Sequence, residues 1–477
     1  MHELMLIVPE LFILSMACVL LLVDLLLPKR PALILLLAQV TVLVGAYLSW
    51  TLFSHATTVA FYDQWILDKF STGLKVVLCA LMFVVFTYGG RYLSPRGLAK
   101  GEYYVLSLFS LLGMMVLVSS YSLLTLYLGL ELLSLPLYVL VAFYRHQPES
   151  IEAGIKYFVL GGLASGLMLY GMSLLFGATG ELSFVGLQQM MDAEAQINPV
   201  LMQFGLVFLL VGLFFKLGAA PFHMWVPDVY AGAPSSVALL IATAPKVAAF
   251  GLAYRLFSDA FLQYADFWQQ LLLVVAILSL FIGNFLAIAQ SNIKRLLGYS
   301  AISHMGFILL GLFVGPQVGY VPALTYALIY SVMTSGAFGI VLFMSRAGYE
   351  LNDMDDLRGL SERSPMTAFL FMLMLFSMAG IPPLVGFYAK FVVLQALVTA
   401  GWVWIAVLAV LFSILGAFYY LRVIRIMYFD APITFEVPTG GTIGMRLLLT
   451  VNGLAMLLFG LFPNAILAFC QSLLANG

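Results

Sequence analysis

The sequence predicts an all-α polytopic membrane protein, and three observations carry that prediction. Of its 477 residues, 63% are hydrophobic and only 9% charged, against roughly 45–50% and 25% in soluble domains. Apolar runs of about 20 residues, the length that crosses a bilayer as a helix, recur along the whole chain. Basic residues gather between alternate runs. The mean hydropathy of +1.07 and the net charge of −1 exclude a basic nucleic-acid surface and an acidic tail.

On the length criterion about fourteen transmembrane segments are expected, centred near residues 15, 43, 80, 110, 131, 163, 212, 246, 279, 306, 332, 380, 411 and 457. They form a single membrane domain, 1–477: segments 1–3 in about 1–100, 4–8 in 101–258, 9–13 in 266–428, and segment 14 in 443–472. No basic region precedes the first apolar run and no small-residue cleavage site follows it, so it is expected to stay as segment 1. The longest stretches outside the segments are about twenty residues, near 55–70, 177–199, 346–365 and 429–443. The charged one, from Glu350 to Leu360, lacks the ligand spacing of a calcium loop and reads as a solvated connection.

Connections after odd-numbered segments carry Lys29, Arg30, Arg91, Arg96, Lys100, Arg145, Lys294, Arg295, Arg346, Arg358, Arg363, Arg422, Arg425 and Arg446. Those after even-numbered segments carry essentially Lys69 and Arg255, beside Asp63, Glu181, Asp192, Glu194, Asp259 and Asp266. This asymmetry predicts cytoplasmic odd-to-even connections and both termini on the periplasmic side.

Two segments are interrupted alike. Segment 7 reads Lys216-Leu217-Gly218-Ala219-Ala220-Pro221, and segment 12 reads Ala379-Gly380-Ile381-Pro382-Pro383. Proline removes a backbone donor and clashes with the preceding turn, so each helix should break at membrane depth, where irregular backbone is tolerated only if protein buries it or water lines it. Segments 6 and 11 share small-residue patches, Ala164-Ser165-Gly166 and Thr334-Ser335-Gly336. Segments 4–8 thus match 9–13. Because five is odd, the second copy runs inverted, as in ion-transporting folds with paired discontinuous helices.

Six charged residues lie inside the apolar segments: Lys75, Glu131, Lys156, Lys216, Lys246 and Lys390. Each costs roughly 2.5–3.5 kcal/mol at mid-bilayer even on the lenient insertion scale, so function should require them. Glu131 sits in the middle of segment 5, with Lys156 or Lys216 as its expected neighbour; the plainer alternative is a neutral structural carboxyl. Lys216 immediately precedes the first break, where freed carbonyls can solvate an ammonium; snorkelling toward an interface is the competing account. Lys246, after Pro245, has no interface within reach, and desolvation loosens its proton, which makes it a relay candidate. Lys390 follows the second break. His304 has polar neighbours on segment 10 and is either a satisfied core residue or part of a proton wire. Lys75 opens segment 3 near the outer surface and reads as structural.

Other chemistry has no visible seat. Zinc-protease, phosphate-loop and dinucleotide motifs are missing, and Gly161, Gly162 and Gly166 read as helix-packing positions. Cys18, Cys79 and Cys470 are scattered singly, without metal or disulfide spacing.

The membrane glutamate of segment 5, the lysines of segments 7, 8 and 12, the run Lys216 to Tyr230 (KLGAAPFHMWVPDVY) continuing into Ala231-Gly232-Ala233-Pro234, and Asn292 to Ser300 (NIKRLLGYS) together resemble the antiporter-like membrane subunits of respiratory complex I, the bacterial NADH:quinone oxidoreductase. The similarity spans nearly the whole chain. Lys390, where a sister branch carries glutamate, and an end after about fourteen segments without a long lateral helix narrow the branch. A subunit of Mrp-type sodium/proton antiporters is the alternative resemblance. What the resemblance implies is proton transfer by Glu131, Lys216, Lys246 and Lys390, with Lys156 and His304 in support. It implies a multi-pass protein of the bacterial inner membrane, packed against a neighbouring antiporter-like subunit, small membrane subunits and lipids. It also implies that NADH, FMN, iron–sulfur clusters and quinone belong to other subunits, none being bound by this chain. The remaining alternative is a structural spacer whose buried charges only hold helices in register.

Overall fold

The structure, a computed structural model, describes residues 2–27, 30–192, 198–345, 349–432 and 442–475. Lys29, Glu194 and Arg346, counted above among the connection charges, lie outside the described residues. Thirteen helices among the described residues are long and apolar enough to cross a membrane, and Pro365–Ala379 with Val385–Thr399 completes a further span. In chain order they are α1 Val8–Leu26, α2 Pro31–Thr51, α3 Lys69–Leu93, α4 Gly101–Val118, α5 Leu123–Val141, α6 Pro148–Thr179, α7a Pro199–Leu217 with α7b Trp225–Gly232, α8a Ser235–Ala242 with α8b Ala244–Tyr254, α9 Ala265–Ile288, α10 Ile293–Val314, α11 Tyr320–Met344, α12a Pro365–Ala379 with α12b Val385–Thr399, α13 Val403–Phe429 and α14 Ile443–Leu461. The run expected to continue to residue 472 stops at Leu461, ahead of Pro463. A separate helix, α15 Asn464–Leu474, then folds back onto α3 and α11. A short hairpin, β1 Thr58–Ala60 with β2 Trp65–Leu67, fills the connection between α2 and α3.

Helix starts follow from local sequence. Asp68, Ser122, Asn198 and Asn292 cap α3, α5, α7a and α10 by accepting otherwise unpaired first-turn N–H groups. Two of these caps mark the repeat. The connection after α6 is pinned beside the start of α5 by Leu123 N–H to Leu182 O (2.9 Å) and Phe184 N–H to Tyr121 O (3.0 Å). The connection after α11 is pinned beside the start of α10 by Ile293 N–H to Asn352 O (2.7 Å) and Met354 N–H to Ser291 O (3.0 Å). Residues 121, 123, 182 and 184 map onto 291, 293, 352 and 354, a constant offset of 170. Ser165-Gly166 and Ser335-Gly336 keep the same offset.

The two connections sit at opposite ends of the bundle. The first meets the end of α8b, where Gln188 donates to Asp259 O. The second meets the ends of α3 and α10, where Glu350 binds Arg96 (3.1 Å) and Lys294 (3.4 Å). The copies are therefore inverted, and α7a and α12a enter from opposite ends.

Charge also ties the ends together, in ways the sequence reading did not anticipate. The stretch after Glu350 is more than a solvated connection: Leu351, Met354, Leu357 and Leu360 are buried, and Glu350 accepts from Tyr92 (3.0 Å) and Ser235 as well as the two cations. One carboxylate thereby joins α3, α8a, α10 and α11. Although burial pushes its carboxyl up, Lys294, Ser235 and Arg96 hold it below the usual carboxylate range. Arg255, read as a connection residue, is instead buried at the end of α8b, donating to Val118 O (3.2 Å), Asp68 (2.8 Å) and Asp259 (2.8 Å). Burial raises the Asp68 carboxyl, but Arg255 and Ser71 bring it below its ordinary value.

Replacing Glu350 with alanine leaves the enclosed Lys294 without the carboxylate it pairs with and should destabilise the protein by on the order of 3 kcal/mol, read as a lower unfolding temperature in detergent. Because the folded carboxyl titrates below its unfolded value near 4.3, its contribution is complete above that value and fades as pH falls through the folded one. The gap between wild type and Glu350→Gln should accordingly hold from pH 7 down to about pH 5 and narrow only on further acidification below about pH 4.

Candidate functional site: a line of enclosed ammonium groups

Both broken helices end in the same way. Gly218 (φ 72°) and Gly380 (φ 86°) take the left-handed conformation that glycine adopts without Cβ strain. The following prolines cannot resume the ladder, and the peptide bonds Ala220–Pro221 and Pro382–Pro383 are cis. Serine hydroxyls accept the nearby N–H groups, Ser279 from Ala220 (2.9 Å) and Ser377 from Gly386 (3.0 Å).

The last carbonyls of each half-helix are left for side chains, and a lysine takes them. Lys246 Nζ donates to Lys216 O (3.2 Å) and Leu217 O (2.8 Å) at the end of α7a. Lys390 Nζ donates to Ala379 O (2.8 Å) at the end of α12a and to Ser413 Oγ (2.8 Å) on α13. Each ammonium thus sits at the negative end of a helix dipole. Aromatic faces complete the shells: Lys246 lies 5.0 Å from the Trp225 ring and Lys390 5.6 Å from Phe307.

Lys246 stands just beyond a break that was not expected. Thr243 (φ −117°, ψ −90°) separates α8a from α8b. Pro245, which has no N–H to give, provides the cause, and Ala244-Pro245 was the available signal.

Lys216, buried at the end of α7a, donates to Ser134 Oγ (2.9 Å). Ser134 lies one turn beyond Glu131 on α5, so both face the same strip of helix. Glu131 Oε1 is enclosed and accepts no hydrogen bond from a described residue, yet the carboxyl lies within electrostatic reach of Lys216. The sequence reading missed Ser134, although its spacing from Glu131 could have pointed to it. Beyond Lys390, His304 is buried with Nδ1 on the Tyr326 hydroxyl (2.8 Å) and Nε2 on the Tyr420 hydroxyl (3.1 Å).

The two other lysines stand apart. Lys156 is not beside Glu131: it is partly exposed and pairs with Glu152 and Asp228, each at 2.8 Å. Asp228 also holds Arg295 (2.8 Å), and these groups line a cavity of about 250 Å³ with Glu149 and Asn292. Lys75 is fully buried, 2.7 Å from Glu10 and 5.0 Å from the Trp65 ring, joining α3 to α1. Glu10, an acid in the first turn of an apolar helix, went unread. Among the described residues no group of three or more His, Cys, Asp or Glu side chains could hold a metal ion.

Half-helices capped by lysines on two inverted five-helix repeats define an antiporter-like ion-transporting membrane protein. Residues 120–416 match the family described as NADH:quinone oxidoreductase/Mrp antiporter, TM. The NADH-quinone oxidoreductase subunit N of Thioalkalivibrio sulfidiphilus is 50% identical over 97% of this chain and 96% of its own length. A chain of Thermus thermophilus respiratory complex I, solved with bound aureothin, superposes with a TM-score of 0.81 at 29% identity, over 96% of this chain and 98% of that one. A chain of the Mrp complex from a Dietzia species shares the fold, with a TM-score of 0.86 at 20% identity over 99% and 97% of the two chains. The chain belongs to the NADH-quinone oxidoreductase subunit N family.

The caps make a direct prediction. Gly218→Ala would force a Cβ into a left-handed backbone and to 2.6 Å from Val226 Cγ2. A loss of at least about 1–2 kcal/mol is expected, seen as a lower unfolding temperature. Gly166→Ala, in mid-helix with no atom within 4 Å of the added Cβ, should be neutral or gain up to about 1 kcal/mol.

Proposed function

We propose that this chain is a proton-translocating, non-redox subunit of a NADH:quinone oxidoreductase, and that Glu131, Lys216, Lys246 and Lys390 carry the proton. One observation supports this most: Lys246 and Lys390, buried at membrane depth, are each held on the freed carbonyls of a broken helix rather than by a carboxylate. An ammonium solvated by dipoles alone can give up its proton without breaking an ion pair.

Lys216 starts the relay. Its ammonium rests on Ser134 within the field of Glu131, and unit charges brought to ~4 Å at an effective dielectric near 20 would interact by roughly 4 kcal/mol. Moving Glu131 toward or away from Lys216 therefore changes the hold on that proton by a large factor. Lys246, on the backbone carbonyl of Lys216 itself, takes the proton next, and Lys390 passes it on, with His304 in support. Lys156 acts at the margin, in the polar cavity it shares with Asp228 and Arg295.

The end bearing Arg96, Lys294 and Arg295 faces the cytoplasm and both termini face the periplasm, since basic connections stay inside. The membrane is the bacterial inner membrane. Neighbouring membrane subunits and lipids cover the apolar outer faces, while NADH, FMN, iron–sulfur clusters and quinone are held by other subunits.

The test is NADH-driven proton pumping in membrane vesicles carrying assembled complexes. Glu131→Ala, Lys216→Ala and Lys246→Ala should each lower the ratio of protons moved to electrons transferred, and normal ratios in all three would reject the relay. Lys246→Arg keeps the charge and should still impair pumping, because a guanidinium does not release its proton at working pH. Proton exchange that depends on sodium, in vesicles without NADH, would favour a secondary antiporter instead.

A further inference from the structure

The pair of phenols around His304 has no place in the relay described so far. Tyr326 comes from α11 and Tyr420 from α13, and both are fully buried. Their hydroxyls meet opposite ring nitrogens, Nδ1 at 2.8 Å and Nε2 at 3.1 Å. The Tyr420 hydroxyl is bonded in turn to Ser300 Oγ, one turn before His304 on α10. Tyr326 stacks on Phe307 (5.4 Å, 9° between planes), the ring that faces Lys390. Ser300, Tyr420, His304 and Tyr326 thus form one hydrogen-bonded line that ends beside the Lys390 shell.

A neutral imidazole has one N–H donor and one bare nitrogen acceptor. Between two phenols, each of which can donate or accept, both tautomers are fully satisfied: in one Tyr420 donates to Nε2 and Nδ1–H donates to Tyr326, and in the other every bond is reversed. A charged ring would face Lys390, which lies within electrostatic reach, across apolar surroundings that screen little.

We propose that His304 passes a proton between Tyr420 and Tyr326 by exchanging tautomers, staying neutral before and after, with the two phenols as the relay groups on either side. The step balances without any redox partner. The Tyr420 O–H bond breaks as Nε2–H forms, Nδ1–H breaks as a new O–H forms on Tyr326, and Tyr326 releases its own proton to water. Tyr420 is reprotonated through the Ser300 hydroxyl, which is replenished from water in turn. Each passage leaves the ring in the opposite tautomer, so it must be reset before the next. The proposal rests on the proton-relay reading above, and its test separates the two.

The assay is NADH-driven proton pumping by assembled complexes in sealed vesicles, with complex amount measured on native gels and the solvent deuterium isotope effect recorded. Tyr420→Phe and Tyr326→Phe each remove one hydroxyl and keep the ring; His304→Gln keeps a donor and an acceptor but cannot exchange tautomers. All three should assemble yet lose most of the pumping, with an altered isotope effect. A purely structural role for His304 would instead be rescued by glutamine. Wild-type pumping and isotope effect in His304→Gln or in both phenylalanine variants, while Lys216→Ala remains impaired, would overturn the tautomer exchange and leave the relay standing. Wild-type pumping in Lys216→Ala as well would remove both. Should Tyr420→Phe fail to assemble, Tyr326→Phe, on a different helix, carries the same reading.

Discussion

The contact of a lysine ammonium with the last carbonyls of a half-helix is what the rest of the structure serves. A helix that stops at membrane depth leaves unpaired carbonyls in a medium without water, and a lysine at that depth brings a charge that apolar side chains cannot solvate. Either alone would be costly, and together they satisfy one another. Lys246 on Leu217 O and Lys390 on Ala379 O are the two instances. The left-handed glycines, the prolines and the serine hydroxyls of each break hold the carbonyls open in the position where the ammonium arrives.

The inverted repeat explains why there are two such contacts, and the departures from it explain their difference. With the offset of 170 fixed by the pinned connections, Glu131 maps onto Ala301 and Ser134 onto His304. The first copy therefore places a carboxyl and a hydroxyl on α5 to meet Lys216, whereas the second places a histidine on α10 and no carboxyl. The ammonium that caps α7a comes from the following helix, α8b; the one that caps α12a comes from α12b, and the following helix, α13, contributes Ser413. The two copies keep one solution to the broken helix and differ in what stands beside it.

Much of this was legible in the sequence, for reasons of length and chemistry. Apolar runs count spans because the bilayer sets their length, and proline after glycine marked the breaks in segments 7 and 12. What stayed hidden depended on which residues meet across the bundle. Nothing local says that Lys246 reaches back to Leu217, that Lys156 turns toward Asp228 and away from Glu131, or that Glu350 gathers Tyr92, Arg96, Ser235 and Lys294 from distant helices. The break at Thr243 was missed because Pro245 was read only as a neighbour of Lys246. Arg255 was taken for a connection residue since a positive charge near a helix end usually is one; here Asp68 and Asp259 enclose it.

In the proposed relay, a physical criterion sets a structural lysine apart from one that carries a proton. Lys75 has a carboxylate 2.7 Å away, so losing its proton would leave Glu10 as an uncompensated charge, the costly state of a buried pair. Lys246 and Lys390 have backbone carbonyls and a serine hydroxyl instead. A neutral amine still carries two N–H groups and can keep donating to those same oxygens, so deprotonation removes a charge without orphaning a partner. Lys216 lies between these cases, on a neutral serine but within the field of a carboxyl, and a shift of Glu131 can move it from one regime toward the other. In the proposed relay the group best placed to be switched is therefore the one whose counter-charge is near and not bonded, and the groups best placed to receive are those whose hydrogen bonds go to carbonyls and a hydroxyl.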